Sequence, residues 1–423
     1  MSGNAASTLL CAARLVDGLS DVAKADHAVL IEGGRIKAVG VREEIQKEMP
    51  PGTEIVDLGD ACITPGMIDN HTHVSLAADG RSYVEFFADT DEMMVLAGAM
   101  NLRRHQAAGV TTIRDNGARN MVGFAIKEGL RRGYITGSRL LVSGRSITCT
   151  EGHFHMCNEI ADGEEEMRRS VRRLAHQGAD FIKVMATGGG TVGTVPRRAA
   201  YSVEELRAAV REARQFDLLT AAHCRATEGM QHAVEAGIDL IEHAEFLGMD
   251  NQMRFDPELA EKMVECGTFA SPTLQAWVGY PRIVALEAKA EAGTITLAEE
   301  QTLKQANERA ETRLEVVRRM VDSGLKERIL PGTDCGVGNL VFGHLDYDLQ
   351  LLVRAGFTPG EALLSATRIS AEAVGMVDQL GTIEPGKIAD LAVFAGDPTK
   401  DVRALSEVVA VFQGGQRVNP LVA

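Results

Sequence analysis

The chain has no CxxC pair, no long run of lysines or arginines, and no uninterrupted apolar run long enough to cross a bilayer. Each absence excludes a class of protein. Cys11, Cys62, Cys149, Cys157, Cys224, Cys266 and Cys335 are odd in number and scattered, which argues against a zinc ribbon or a disulfide framework and for small buried hydrophobes. Lys and Arg total 44 against 59 Asp and Glu, a net charge of −15 with His neutral, and no run of Lys or Arg marks a polyanion-binding stripe, so nucleic acid is not an expected partner. The first apolar stretch, Leu9 to Leu15, is broken by Arg14 and follows no basic segment. Neither a signal peptide nor a membrane anchor is expected, and the protein is assigned to the cytoplasm. What remains is a globular composition, 45% hydrophobic and 24% charged over 423 residues. That length accommodates an α/β barrel of roughly 250 residues together with a smaller unit.

From Leu9 to Pro65 the chain reads as short strands and turns, AVLIEGG, RIKAVG, EIVDLG and ACITPG, the grammar of a small β unit. From Gly66 it changes to eight apolar runs, MIDNHTH, VTTIRDNG, RLLVSG, FIKVMATGG, LLTAAHC, LIEHAE, TFASPT and ILPGTDCG, with amphipathic segments such as Glu164–His176 and Ser202–Phe216 between them. Ser202 stands three residues before Glu205, a capping box. Eight such units predict a (β/α)8 TIM-like barrel, with an open doubly wound sheet as the competing architecture; no G-x-G-x-x-G follows the first strand. Val278–Ser323 is too long and charged for one helical return, so one or two extra helices are expected over the barrel mouth or at an interface. After Gly381 the β grammar returns in GTIEPGKIADLAVFAG and VVAVFQGGQRV, with a turn at Pro385-Gly386. The expected organisation is residues 1–65 and 381–423 forming one discontinuous β-sandwich beside a barrel of residues 66–380.

Residues two apart on a strand face the same way, so His71 and His73 at the end of the first barrel strand present two imidazoles to one point. His223, His243 and Asp334 close other runs, and strand ends are where such a barrel gathers its chemistry. Singly, each also reads as a hydrogen-bonded core histidine or a helix cap. Lys183 interrupts the apolar run FIKVM, where an ammonium must be desolvated or paired. A salt bridge to Asp180 or snorkelling to the rim would satisfy it. So would reaction of the neutral amine with carbon dioxide, making a carbamate that bridges two metals and offsets their charge.

The order HxH, Lys, His, His, Asp along eight strands, with PGMIDNHTH early and GTIEPGKIADLAVF late, resembles the amidohydrolase superfamily over nearly the whole chain. The resemblance implies a binuclear hydrolase holding two divalent ions, zinc foremost, on His71, His73, carboxylated Lys183, His223, His243 and Asp334. TTIRDNG, EGHFH and KVMATGGG look most like its metal-dependent dipeptidase group, which includes prolidases, carboxypeptidases releasing basic residues, and some mycotoxin amidases. A metal-bridging hydroxide would attack an amide, an Xaa-Pro dipeptide being the first expectation, while Asp334 shuttles the proton to the leaving amine. His153 resembles a substrate-contacting position of relatives, with His155 as a substitute. Arg225, two residues past His223, is expected to bind a terminal carboxylate. A lactonase or phosphotriesterase would share all six ligands, a mononuclear deaminase would not need Lys183, and a non-catalytic metal-binding scaffold is the rival outside enzymes. The partner expected is a small molecule or dipeptide, with no nucleic acid or membrane; a homo-oligomer is compatible with the sequence.

Overall fold

The structure, a computed structural model, describes residues 7–419; the outermost residues of the two expected terminal β segments, 1–6 and 420–423, lie outside that range. The N-terminal segment builds a four-stranded sheet in the order Arg35–Val41, His27–Glu32, Ser7–Cys11, Glu54–Asp57. Gly33 and Gly34 turn its first hairpin with φ of 60° and 79°, a left-handed pair that side chains resist and glycine adopts freely.

A second sheet joins the two ends of the chain. Leu391–Phe394 pairs antiparallel with Cys62–Pro65, and the six strands run Gln416–Arg417, Val408–Gln413, Leu391–Phe394, Cys62–Pro65, Arg14–Leu15, Lys24–Ala25. One apolar cluster containing Leu10, Val29, Ile36, Ile63, Val393 and Phe412 draws on both sheets. Burial of that shared face ties the far ends of the sequence together. Pro385-Gly386 forms the expected turn.

Between the ends, parallel strands alternate with helices. Met67–Thr72, Val110–Asp115 and Arg139–Val142 form one parallel sheet, and Phe181–Met185, Leu219–Ala226, Leu240–Leu247 and Phe269–Ser271 a second. Near-continuous burial of these strands is what helical cover on a parallel sheet requires. Intervening helices include Asp91–Ala107, Glu164–Gln177 and Val203–Arg214. The last opens with the Ser202–Glu205 capping box and buries Leu206, Val210 and Ala213; such a cap contributes about 1 kcal/mol.

Seven of the eight expected runs are strands; the eighth, ILPGTDCG, is not. Pro331 has no N–H to donate, and Asp334 and Gly336 take φ of 57° and 104°, so a regular ladder cannot form. The segment nevertheless occupies a strand's place. Leu330 N donates to Ala270 O on one side, while Asn70 N donates to Pro331 O and Asp334 N to His71 O on the other. Single parallel bridges, Ile147–Val184, Ala270–Ile329 and Thr72–Cys335, link the sheet edges and this segment. The expected extra helices are two, Tyr280–Glu291 and Leu297–Met320, the second opened by a Thr296–Glu299 capping box. Among the described residues no helix is long and apolar enough to cross a membrane.

Candidate metal centre and active site

His71, His73, His153, Lys183, His223, His243 and Asp334 all line one cavity of about 150 Å³, closed by Met185, Trp277, Val337 and Leu340. The strand ends bring together residues up to 263 positions apart in sequence. His71 Nε2 and His73 Nε2 lie 3.4 Å and 3.3 Å from Asp334 Oδ1, so the HxH pair does converge on one point. His71, His243 and Asp334 offer ligand atoms within 4.8 Å of one another.

Hydrogen bonds behind the imidazoles set which nitrogen faces the cavity. Glu242 Oε2 sits 2.7 Å from His71 Nδ1; a carboxylate accepts, so Nδ1 carries the proton and the Nε2 lone pair points at Asp334. Gly188 O, 3.2 Å from His223 Nε2, likewise leaves the Nδ1 lone pair of His223 for a ligand. Thr273 Oγ1 lies 2.8 Å from His243 Nδ1, and the Trp277 indole donates to the same hydroxyl at 3.0 Å. Beneath the HxH strand, Asp69 receives His105 Nε2 at 2.8 Å and Thr333 Oγ1 at 2.7 Å, pinning the first strand to the Asp334 segment.

His153 is differently placed. The Thr191 backbone N–H donates to its Nδ1, and Thr191 Oγ1 lies 2.8 Å from the same nitrogen, so Nε2 carries the hydrogen. A side chain at Gly189 would start 2.4 Å from that Nε2; only glycine lets the imidazole lie against the loop.

Electrostatics keep the cluster ready for a cation. Burial pushes the His223 and His243 imidazoles well below their ordinary range, reinforced by neighbouring imidazoles and Lys183, so both are neutral as metal ligands must be. Burial, with His73 beside it, brings His153 down to about 3. For Asp334 burial works toward a higher pKa, but His71, His73 and Lys183 outweigh it and hold the carboxyl below the usual range.

Lys183 is fully buried, and burial lowers its ammonium to about 8 against the opposing pull of Glu242. Asp180 is not its partner: that carboxylate is held by Lys127 at 2.8 Å. Nor does Lys183 snorkel, because its Nζ is buried with no hydrogen-bond partner and stands 3.8 Å from Glu242 Oε1, itself unpartnered. A buried amine left without an acceptor is costly. An additional ligand or ion between these groups, with imidazoles and carboxylate around it, is what the donor set fits, and nitrogen with carboxylate oxygen suits zinc.

Two residues expected at the site do not line this cavity. Arg225 does not line the cavity; its guanidinium grips Glu245 through Nε at 3.0 Å and Nη2 at 3.0 Å and stacks 4.2 Å over the Trp277 ring. Two fork positions are therefore spent on an internal carboxylate, and a substrate carboxylate would have to displace it. His155 turns its Nδ1 to Gly152 O at 3.0 Å and lines a neighbouring cavity instead, because the left-handed Phe154 before it reverses the chain. Glu242, Thr273 and Thr191 went unnoticed in the sequence. Glu242 had a signal, an acid directly before His243 inside an apolar run.

The model of the amidohydrolase family matches residues 62–418. Ochratoxinase of Aspergillus niger is 27% identical over 97% of this chain and 86% of its own length. A Xaa-Pro dipeptidase crystallised with methionine in its active site superposes with a TM-score of 0.80 at 25% identity, covering 98% of this chain and 100% of that one. A putative prolidase from Bifidobacterium longum superposes with a TM-score of 0.77 at 27% identity over 99% and 96%. With the family match running over residues 62–418 and so through every cavity-lining histidine, the chain belongs to the amidohydrolase family.

Proposed function

We propose that this protein is a binuclear metal-dependent hydrolase of amide bonds in dipeptides or N-acyl amino acids, Xaa-Pro dipeptides first among them. The observation that carries the reading is Lys183, buried and without a hydrogen-bond acceptor beside an equally unpartnered Glu242 oxygen, in the lining of a cavity walled by five imidazoles and Asp334. His71, His73, His223, His243 and Asp334, with Lys183 as a carbon dioxide-derived carbamate, would hold two divalent ions, zinc by the chemistry of the donors. Bound there, the ions would polarise the scissile carbonyl and lower the pKa of a water to near 7.

The chain's own groups then divide the work. Asp334, ionised and facing the HxH pair, takes the proton of the attacking water and delivers it to the leaving nitrogen. A prolyl nitrogen is a poor leaving group until protonated. His153, neutral and with hydrogen on Nε2, donates to the substrate carbonyl oxygen as charge develops on it. Trp277, Met185, Val337 and Leu340 exclude bulk water and strengthen these interactions. Arg225 and Glu245 act by holding Trp277 in place.

The scaffold reading is a closed (β/α)8 barrel over 66–380, supported by the three edge bridges, with a β-sandwich from 1–65 and 381–423, supported by the apolar cluster common to both sheets. The similarity to Xaa-Pro dipeptidase and prolidase structures supports the substrate choice, and the similarity to ochratoxinase makes a mycotoxin-type amide the second candidate.

The test is a panel assay on zinc-loaded protein, with Met-Pro and other Xaa-Pro dipeptides, dipeptides ending in Lys or Arg, ochratoxin-type amides, a lactone and a phosphotriester. The highest kcat/KM is expected for Xaa-Pro. A preference for basic C-terminal residues would move the assignment to carboxypeptidase, and turnover of the lactone or phosphotriester without any amide would overturn it.

A further inference from the structure

We infer that the cavity beside the metal centre is an acyl-side subsite, built for an uncharged apolar group of the substrate. The inference rests on the amide-hydrolase reading and adds the chemistry of the group that reading leaves open. Volume is its starting point. The cavity around Asp334 is about 150 Å³, well under the roughly 300–1,000 Å³ of ordinary small-ligand pockets, so it has room for the scissile amide and little else. A second cavity of about 560 Å³ adjoins it, and Gly190 lines both.

The second cavity is walled by Val84, Phe87, Met156 and Val192, with no Asp, Glu, Lys or Arg among its lining residues. Val192 is 90% exposed and Val84 72%, an unfavourable arrangement for two branched apolar side chains unless something apolar covers them. The segment carrying Val192 is nonetheless anchored. Thr191, directly before Val192, bonds both His153 Nδ1 and the Phe154 backbone N–H, so a group seated on Val192 is registered against the donor that faces the carbonyl.

The side of the amide follows from the proton. Asp334 serves the leaving nitrogen, and His153 donates to the carbonyl oxygen of the acyl portion. His153 lines the small cavity together with Gly190, and Gly190 also lines the second cavity, which puts the acyl portion next to it.

The experiment compares N-hexanoyl-L-proline with N-acetyl-L-proline in wild type, Val192→Asp and Val84→Asp. Both variants lie at exposed positions, and circular dichroism would verify the fold. The wild-type kcat/KM ratio should favour hexanoyl by about tenfold or more, and each carboxylate should bring the ratio close to one. A wild-type ratio near one, or a ratio unchanged in both variants, overturns the subsite. Failure to cleave either compound overturns the amide-hydrolase reading instead. Calorimetric binding of the same two compounds to the three proteins then decides the subsite separately: tighter binding of the hexanoyl compound that both variants abolish sustains it, and equal binding of the two refutes it.

Discussion

Two buried cations, Arg313 and Lys183, are satisfied very differently. Arg313, from the long inserted helix, donates Nη1 to Ala244 O at 3.0 Å and Nη2 to Pro272 O at 3.1 Å and to His243 O. Lys183, on the fourth strand, donates to nothing. Arg313 has a structural task that can be read from its partners: His243 and Ala244 hold φ of 70° and 46°, a left-handed kink that costs roughly 1–3 kcal/mol per residue, and the guanidinium secures both carbonyls of that kink, aiming the imidazole. Lys183 has no such task within the chain. The contrast teaches that burial of a charge does not by itself mark a site; a buried charge without a hydrogen bond that also lines a cavity of convergent imidazoles does.

The comparison breaks most sharply at Lys183→Ala. The variant should lose most of its metal, from about two ions per chain, and roughly a hundredfold or more of its activity, with little change in melting temperature. Elemental analysis and a rate assay check both. In wild type, metal uptake at a fixed concentration of dissolved carbon dioxide should quicken as pH rises toward 8, because the free amine that captures carbon dioxide grows about tenfold per pH unit below its pKa of about 8. Full metal content in the alanine variant would make Lys183 as structural as Arg313.

Glu242→Gln should come next. Glu242 fixes the His71 tautomer at 2.7 Å, and supports of this kind typically contribute 10–100-fold in metal affinity or activity. Competition with a chelator should reveal weaker metal retention while the cavity histidines remain. Unchanged retention would mean that backbone contacts alone orient His71.

Arg313→Met should invert the pattern. Three buried carbonyls lose their donors, so about 2–4 kcal/mol of stability should disappear, read as a lower midpoint in urea, while metal stoichiometry stays near two. Loss of metal without loss of stability would assign Arg313 to the site.

These partners also mark where sequence reading stops. That His71, His73, Lys183, His223, His243 and Asp334 would meet at one cavity was legible because each interrupts or ends an apolar run, a local signal. The position of the irregular eighth segment was legible too, but not its lack of a ladder, which follows from Pro331 and the left-handed Asp334. Glu242 meets His71 across 171 positions and Arg313 meets Ala244 across 69; nothing in local periodicity encodes such pairings. Arg225 was read from its spacing to His223 alone, which says where a residue starts but not that Glu245 awaits it 20 positions on.

A third buried charge sharpens the comparison with the smallest expected effect. Asp348 accepts the Gln275 N–H at 2.9 Å and the Gly332 N–H at 3.0 Å, so like Arg313 it is satisfied and joins the Trp277 helix to the Asp334 segment. Burial nevertheless pushes its carboxyl up to about 7, the two backbone donors opposing. The sign follows from proton counting. In the unfolded chain the group ionises near 4; between there and about 7 the folded protein binds more protons, so stability is greatest at the acid end and falls as pH rises through the window. An Asn at this position titrates in neither state. Urea midpoints at pH 5, 6 and 7 should therefore decline more steeply for wild type than for Asp348→Asn, by about 1 kcal/mol per pH unit in that range. The variant's absolute stability will be lower at acid pH, since Asn keeps only one acceptor for two donors, and the difference in slope isolates the titration from that loss. Parallel slopes would mean that two N–H donors suffice to keep a fully buried carboxylate ionised, and that Asp348 belongs with Glu242 among the charges the fold maintains.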